Sequence, residues 1–594
     1  MQAERSSATG RLARTAPRWL TLAAVVAALV ISFASTAVAD PDPLGADGQI
    51  DHAIGELRVV LAVAGLALFA EGARRRRRGI VEPRGSGRRL MLGVVAALSF
   101  ASNYNLFVWT GLHRHELFHY YLGSKYFPEL GYFGLYTCSV QAVVGDGTLP
   151  PDLTEITDLR SKRRRPAAEV MAAAPQCRNA FTPARWDAFR ADLERFHRLL
   201  GDVRFHRVLG DHGYNPSPAW TLVGRTLASA VPATSAGLWF LARIDLALLV
   251  VLFGALGWAF GFDSMCVAAI AWGASGHTSY QWTGDAFLRQ LWLAASVIGV
   301  CLIAKKRPAA SGAFLALAAL ERVFPVCFFL GYGLRELCVW VRQREATRGL
   351  WRLVVGAGVA TIAIAAAGTI VAGRGFPVWL EFAENTRSML AFKPKNSLGL
   401  EYALRFTSTA PPDWKEEGTE TEREESIQAH KERTLQARRG WQLGGLALFA
   451  ALFAGACWRG ASRDRYGQFQ LADWEAVAMG SAAIPFLTMP GSYYLGFIVM
   501  GAALATRRPR IALALLAATV GWAVCVIQFP GRALGYAVSS WILVAYSLWM
   551  LVELWIPAQP TAASPASLAP IVPPGIPHAS GASAITRAWR IARR

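Results

Sequence analysis

The chain has 594 residues, of which 53% are hydrophobic and only 17% charged, and its formal net charge is +20. With a positive mean hydropathy, this composition excludes an ordinary soluble enzyme and points to an all-α polytopic membrane protein. The positive charge does not imply a nucleic-acid partner, because Lys and Arg fall in short runs between apolar segments and no aromatic-basic module accompanies them.

Apolar spans near 18–39 and 55–70 predict an N-terminal transmembrane hairpin over residues 1–75. Ala37-Val38-Ala39 resembles a signal-peptidase site, so the first span is either a cleaved signal or an anchor. Arg74-Arg75-Arg76-Arg77-Arg78 then reads as a cytoplasmic stop. A membrane domain follows over 90–556. Its first span, near 90–110, opens into a polar external region, 111–233, and long loops of this kind translocate largely regardless of charge. Within that region, Thr182-Pro183 is a helix start, and Leu193, Phe196 and Leu200 recur at helical spacing. Cys138 and Cys177 share the region and suit a disulfide in an oxidising compartment.

Further spans are expected near 236–258, 262–280 and 283–304, followed by two short helices over 308–341 broken at Pro325 and a span near 353–373. A second external region covers 374–440, and its distal half, WKEEGTETEREESIQAHKERTLQARRG, reads as a solvated helix. Spans near 441–458, 473–488, 493–506, 511–528 and 534–556 complete a bundle of about fourteen transmembrane or re-entrant helices, several of them shorter than a full crossing. The Pro-, Ala- and Ser-rich tail, 557–594, reads as a disordered cytoplasmic segment.

The stretch with most chemistry is His113 to Tyr136, HRHELFHYYLGSKYFPELGYFGLY, which begins where an apolar span ends. Ionisable groups at such a place mark a substrate or ion site. His115-Glu116-Leu117-Phe118-His119 satisfies the His-Glu-x-x-His pattern of zinc proteases, in which two His one turn apart bind the metal and the Glu activates water. However, Gly123 and Lys125 break the extended pattern, and no third ligand stands at helical spacing beyond Glu129 or His113. A third class, a lipid-linked substrate transporter or flippase, would also use external cations, but no inverted repeat is visible.

The same stretch resembles the first external loop of bacterial polyprenyl-phosphate-mannose-dependent mannosyltransferases of the GT-C superfamily. The resemblance rests on Glu116, Tyr120, Gly131 and Tyr136. It continues in Gly213-Tyr214-Asn215-Pro216-Ser217-Pro218, in Gly284-Asp285, in Arg322 three residues before Pro325, in Phe392-Lys393-Pro394-Lys395-Asn396-Ser397 and in Pro490-Gly491-Ser492-Tyr493-Tyr494. It departs from the family at Glu116, where Asp is usual, at Asp285, where the family often has Gln, at Arg322, where the family has Lys, at Asn396-Ser397, where the family's Gln is missing, and at Tyr493-Tyr494, where the family often has His.

The resemblance implies a GT-C-like bundle that moves a hexose, mannose in the family, from a polyprenyl-phosphate donor to a periplasmic or lipid-linked glycan acceptor. The active site would face the exterior of a bacterial inner membrane. Inverting transfer needs a carboxylate to take the acceptor proton and cations to hold the departing phosphate. Glu116 is the expected base. Arg322, Lys393, Lys395, Arg114 and Lys125 are the candidate phosphate partners, and His119, Tyr120, Trp282, Asn396 and Tyr494 the candidate sugar or acceptor contacts. No cofactor is called for, and metal dependence stays open. The protease reading would instead make His115 and His119 metal ligands.

Overall fold

The structure is a computed structural model that describes residues 46–557 except 109, 146–147, 345–346, 393, 410–419 and 465–466. The expected first span, Lys393 and the C-terminal tail therefore lie outside the described residues. Among the described residues, seven helices are long and apolar enough to cross a membrane: His52–Arg77, Ser235–Phe260, Phe324–Gln343, Arg348–Ala372, Arg439–Gly460, Pro509–Gln528 and Ala533–Trp555. This is the architecture of a multi-pass membrane protein.

The remaining apolar stretches are not full-length spans. Gly87–Asn103 has 17 residues, Phe262–Ala274 has 13, and Leu291–Ala304 and Pro308–Glu321 have 14 each. The stretches expected at 473–488 and 493–506 break into alternating short α and 3₁₀ turns, Asp473–Met479 to Ile484–Leu487 and Ser492–Val499 to Leu504–Thr506. Such broken backbone survives at membrane depth only when it is buried, and Ala476 to Ala483 and Leu495 to Ala505 are all buried.

Local sequence explains the boundaries. Ser86, Thr182, Ser217, Thr234 and Thr347 each cap a helix by accepting a backbone N–H with the side-chain hydroxyl. Pro325 falls in the 3₁₀ turn Phe324–Val326 that separates Pro308–Glu321 from Cys327–Gln343, as expected. Two helices of the bundle cross closely through small residues, since a Cβ on Gly356 would stand 2.0 Å from the Ala309 carbonyl and one on Gly312 2.1 Å from that of Leu353. The outer side of Arg348–Ala372 exposes Val355, Val359, Ile362 and Ile370, a surface suited to lipid.

Polar contacts tie the helix ends together in two groups. At one end, Arg88 pairs with Glu82 and Asp263, Arg335 with Asp473, and Arg508 with Glu475. At the other end, the His113 N–H donates to the Asp285 carbonyl and that of Leu398 to Pro490.

The region between Asn103 and Ser235, expected from the sequence to be external, folds around its own core. Leu135–Val144, Pro183–Leu200, Asp202–Leu209 and Pro218–Ala230 are its main helices. A two-stranded antiparallel hairpin, Glu155–Asp158 with Arg163–Pro166, carries the basic run. The expected stripe of Leu193, Phe196 and Leu200 is buried, joined by Trp186 and Phe189. It faces the other external helices and fills their core together with Phe118, Tyr121, Tyr126, Phe205 and Trp220. Cys138 and Cys177 form the expected disulfide, which fastens Leu135–Val144 to the turn Cys177–Ala180.

Candidate active site

The segment that leaves Gly87–Asn103 turns sharply. Asn105, Leu106 and Phe107 all have positive φ, and the chain then re-forms a short helix, Arg114–Leu117, capped by the His113 imidazole. Phe118–Leu122 continues it as a π-helical turn. Such turns cost hydrogen-bond geometry and recur at functional sites. This turn places Glu116 and Tyr120 on one side and His115 and His119 on another.

Glu116 meets a residue that sequence reasoning did not single out. Arg289 Nη1 lies 3.1 Å from the Glu116 carboxylate and 3.2 Å from the Tyr120 hydroxyl. Both partners are largely enclosed, with side-chain exposures of 6% for Arg289 and 18% for Glu116. Burial by itself pushes the Glu116 carboxyl up. The Arg289 charge, helped by the nearby histidines, outweighs it and holds the group below its ordinary value. Glu116 is therefore ionised at neutral pH.

Arg289 is fixed from behind by Asp245, a buried acid within the long helix Ser235–Phe260. Its two carboxylate oxygens accept the backbone N–H groups of Arg289 and Gln290, at 2.7 and 2.9 Å. These donors sit at the start of Leu291–Ala304, where helix N–H groups lack partners.

Arg322, which stands where the resembled family has a Lys three residues before a Pro, lies at the same place. Its guanidinium carbon lies 5.8 Å from the Tyr494 ring, and Arg289 approaches that ring at the same distance while stacking over Tyr493 at 4.3 Å. Trp282 stacks on Tyr493 with ring centres 6.1 Å apart. The Nε and Nη2 atoms of Arg322 are buried and meet no acceptor. Glu321 does not neutralise it: both Glu321 oxygens are buried without a hydrogen-bond partner. A guanidinium left without acceptors is costly unless a ligand supplies them.

The second external region reaches this place through Asn396. Its carbonyl accepts the Ser492 N–H at 2.6 Å, and Ser397 bridges to Gly491, so Asn396 lies beside the Tyr493–Tyr494 turn. Lys395 is exposed on the same loop, and its carbonyl accepts the Tyr402 hydroxyl.

Three other candidates go elsewhere. Lys125 donates to Asp192 at 2.7 Å and to the Tyr121 hydroxyl inside the external domain, and Tyr126 donates to the same Asp192. It is thus part of a structural ion pair and not a companion of Glu116. Arg114 donates to the Leu199 carbonyl and lines a separate cavity of about 420 Å³ with His113, His115, Arg204 and Arg207. His119 is buried, and its Nε2 lies 2.7 Å from the Tyr136 hydroxyl, so it is enclosed and not poised over a sugar.

A second cluster lies behind the carboxylate. His115 Nε2 is 2.8 Å from Asp211 Oδ2, and one potential donor atom from each of His115, His119 and Asp211 lies within 4.8 Å of the others. Burial alone would lower the His115 pKa, but the bond to Asp211 raises it. Burial, reinforced by His115, takes His119 down to about 4. Asp211 sits on a turn fixed by Gly213, whose φ is +72° and whose N–H donates to the Tyr136 hydroxyl.

Arg289 and Asp245 are the residues that sequence reasoning left out of the site, whereas Asp211, polar and just before the Pro-rich loop, is a candidate from sequence alone. For the first two a signal existed, since an Arg at the edge of an apolar helix and an Asp inside one are both expensive in a membrane protein. Compared with known proteins, the chain matches no family model, no curated protein and no solved structure.

Proposed function

We propose that the chain is an integral membrane glycosyltransferase that transfers a hexose from a polyprenyl-phosphate donor to a glycan or glycolipid acceptor. The observation that carries this reading is the convergence of one ionised carboxylate, Glu116, with two enclosed guanidiniums, Arg289 and Arg322, around the Tyr494 ring. In the reaction, an acceptor hydroxyl oxygen attacks the anomeric carbon, and the bond from that carbon to the phosphate oxygen breaks. Glu116 takes the acceptor proton. Polyprenyl phosphate leaves with its new charge beside Arg322, whose unsatisfied N–H groups match phosphate oxygens. Tyr120, Tyr493, Tyr494 and Trp282 offer aromatic faces and hydroxyls for a sugar ring, and Asn396 a polar edge. The resemblance of Glu116 to Tyr136 and of the later motifs to the mannosyltransferase family supports the same chemistry. The disulfide of the external region supports an oxidising exterior compartment for that domain, which suits a multi-pass protein of a bacterial inner membrane.

The test is transfer of labelled sugar from a polyprenyl-phosphate hexose by the purified, detergent-solubilised protein. Glu116→Gln should lower the rate by about 10²–10⁴-fold, and Arg322→Gln should cut it comparably while leaving the thermal midpoint near wild type. Full activity in Glu116→Gln, or no transfer by the wild type from any polyprenyl-phosphate hexose, overturns the proposal.

A further inference from the structure

Behind Glu116, His115, His119 and Asp211 bring three potential metal-ligand atoms together. His119 Nδ1 lies 2.9 Å from the His115 carbonyl, an atom that only accepts, so Nδ1 carries the proton and donates it. Nε2 then carries the lone pair, which accepts the Tyr136 hydroxyl and which a metal would take in its place. The Tyr136 hydroxyl confirms the assignment, because it accepts from the Gly213 N–H at 2.9 Å and its own proton is free to go to His119 Nε2 at 2.7 Å. A neutral imidazole whose far N–H is held by a backbone carbonyl is the arrangement that prepares His for metal ligation. His115, one helical turn earlier, stacks near it with ring centres 4.9 Å apart. Asp211 arrives from a different element, 96 residues later in the chain.

We infer that His115, His119 and Asp211 bind one divalent transition metal, with zinc the best match to two imidazoles and a carboxylate. Zinc at its usual ligand distances and a tetrahedral angle needs about 3.4 Å between a His nitrogen and a carboxylate oxygen. The present 2.8 Å contact between His115 and Asp211 opens to that by small side-chain rotations. Both side chains are free to make them, being 36% and 41% exposed. Binding replaces the hydrogen bond between His115 Nε2 and Asp211, and the ligating imidazole carries its proton on Nδ1. His115 also lines the cavity with His113, Arg114, Arg204 and Arg207. The cations of its rim suit an anionic or hydroxide ligand in the fourth position.

The metal does not need Glu116, whose carboxylate stays with Arg289. Its role is positional. His115 stands in the helix Arg114–Leu117 with Glu116 and His119 in the π-helical turn with Tyr120, so the ion clamps the junction of the two to the turn that carries Asp211. The inference is independent of the transferase reading, because its readout is metal content and not activity.

The experiment loads full-length detergent-solubilised protein with zinc sulfate, removes excess by gel filtration and measures metal per chain. Cobalt is substituted in parallel and its visible ligand-field absorption recorded. About one zinc per chain and a tetrahedral cobalt band are expected in the wild type. His206→Ala, which alters a histidine of the same region that pairs with Asp152, should bind equally. His115→Ala and Asp211→Asn, at partly exposed positions chosen so that the fold survives, should each weaken binding at least ~10-fold. Absence of stoichiometric metal in folded wild-type protein overturns the inference. So does uptake by His115→Ala and Asp211→Asn that equals wild type.

Discussion

Replacing Arg289 by Gln removes the counter-ion of Glu116 while nearly keeping volume. At the observed 3.1 Å, two unit charges attract by about 5 kcal/mol in an effective dielectric of 20. Desolvation offsets much of that in the intact pair, but removing one partner strands the other, and such stranding costs about 3–5 kcal/mol. Spread over the unfolding entropy of roughly 500 residues, about 1 kcal/mol per kelvin, this lowers the thermal midpoint by at least ~3 °C. The assay is intrinsic tryptophan fluorescence during heating in detergent, run on wild type, Arg289→Gln, Glu116→Gln and the double variant. The double variant should be more stable than Arg289→Gln alone, because it removes the stranded charge. The pH dependence should also change sign. In the wild type the Glu116 pKa is held below its ordinary 4.5, so its stabilising contribution is present above that value and is lost as pH falls through the folded pKa. Without Arg289, burial dominates and raises the pKa, so stability contributed by this site grows as pH falls toward the acid range. Additive losses in the double variant, or identical pH profiles for wild type and Arg289→Gln, would refute the reasoning.

Two further outcomes concern the scaffold. Cys138 and Cys177 are separated by 39 residues, so the chain-entropy account gives their bond about 4 kcal/mol. Cys138→Ser or reductant should therefore make residues 111–233 sensitive to limited proteolysis while the membrane helices stay protected. Gly213→Ala meets both a φ of +72° and a Leu159 methyl 2.7 Å from the new Cβ. It should displace the Asp211 turn and cost about 1–3 kcal/mol, read as a lower thermal midpoint together with weaker zinc retention.

The long spans and the helix from Thr182 were legible in the sequence because hydrophobicity, periodicity and capping are local properties. The short helices were harder. Asp473 to Leu487 has the composition of a span, but its backbone breaks at Gly480, whose Cβ would collide with the Cys327 carbonyl at 2.2 Å, a contact no local pattern records. The site divides in the same way. Glu116 stood out because it follows a span, and Arg322 because it precedes Pro325. Arg289 is brought to Glu116 by Asp245, which lies 44 residues before it. Asp211 reaches His115 only after the external helices have packed. Lys125 misled because closeness to Glu116 in sequence was taken as closeness in space, whereas the turn after Leu122 aims it at Asp192.

The 173 residues between Glu116 and Arg289 also order events during synthesis. At about 5–20 residues per second, Arg289 leaves the ribosome roughly 9–35 s after Glu116. The external domain contains most of its own core between these two positions, so it can close first and hold the carboxylate on its surface, hydrated. The guanidinium then arrives with the later helices, and the ion pair forms as they dock. The salt bridge thus serves as a latch between an early-folding unit and a late-inserting one. A nascent chain stalled before residue 289 would present a folded external domain whose Glu116 is still open to water.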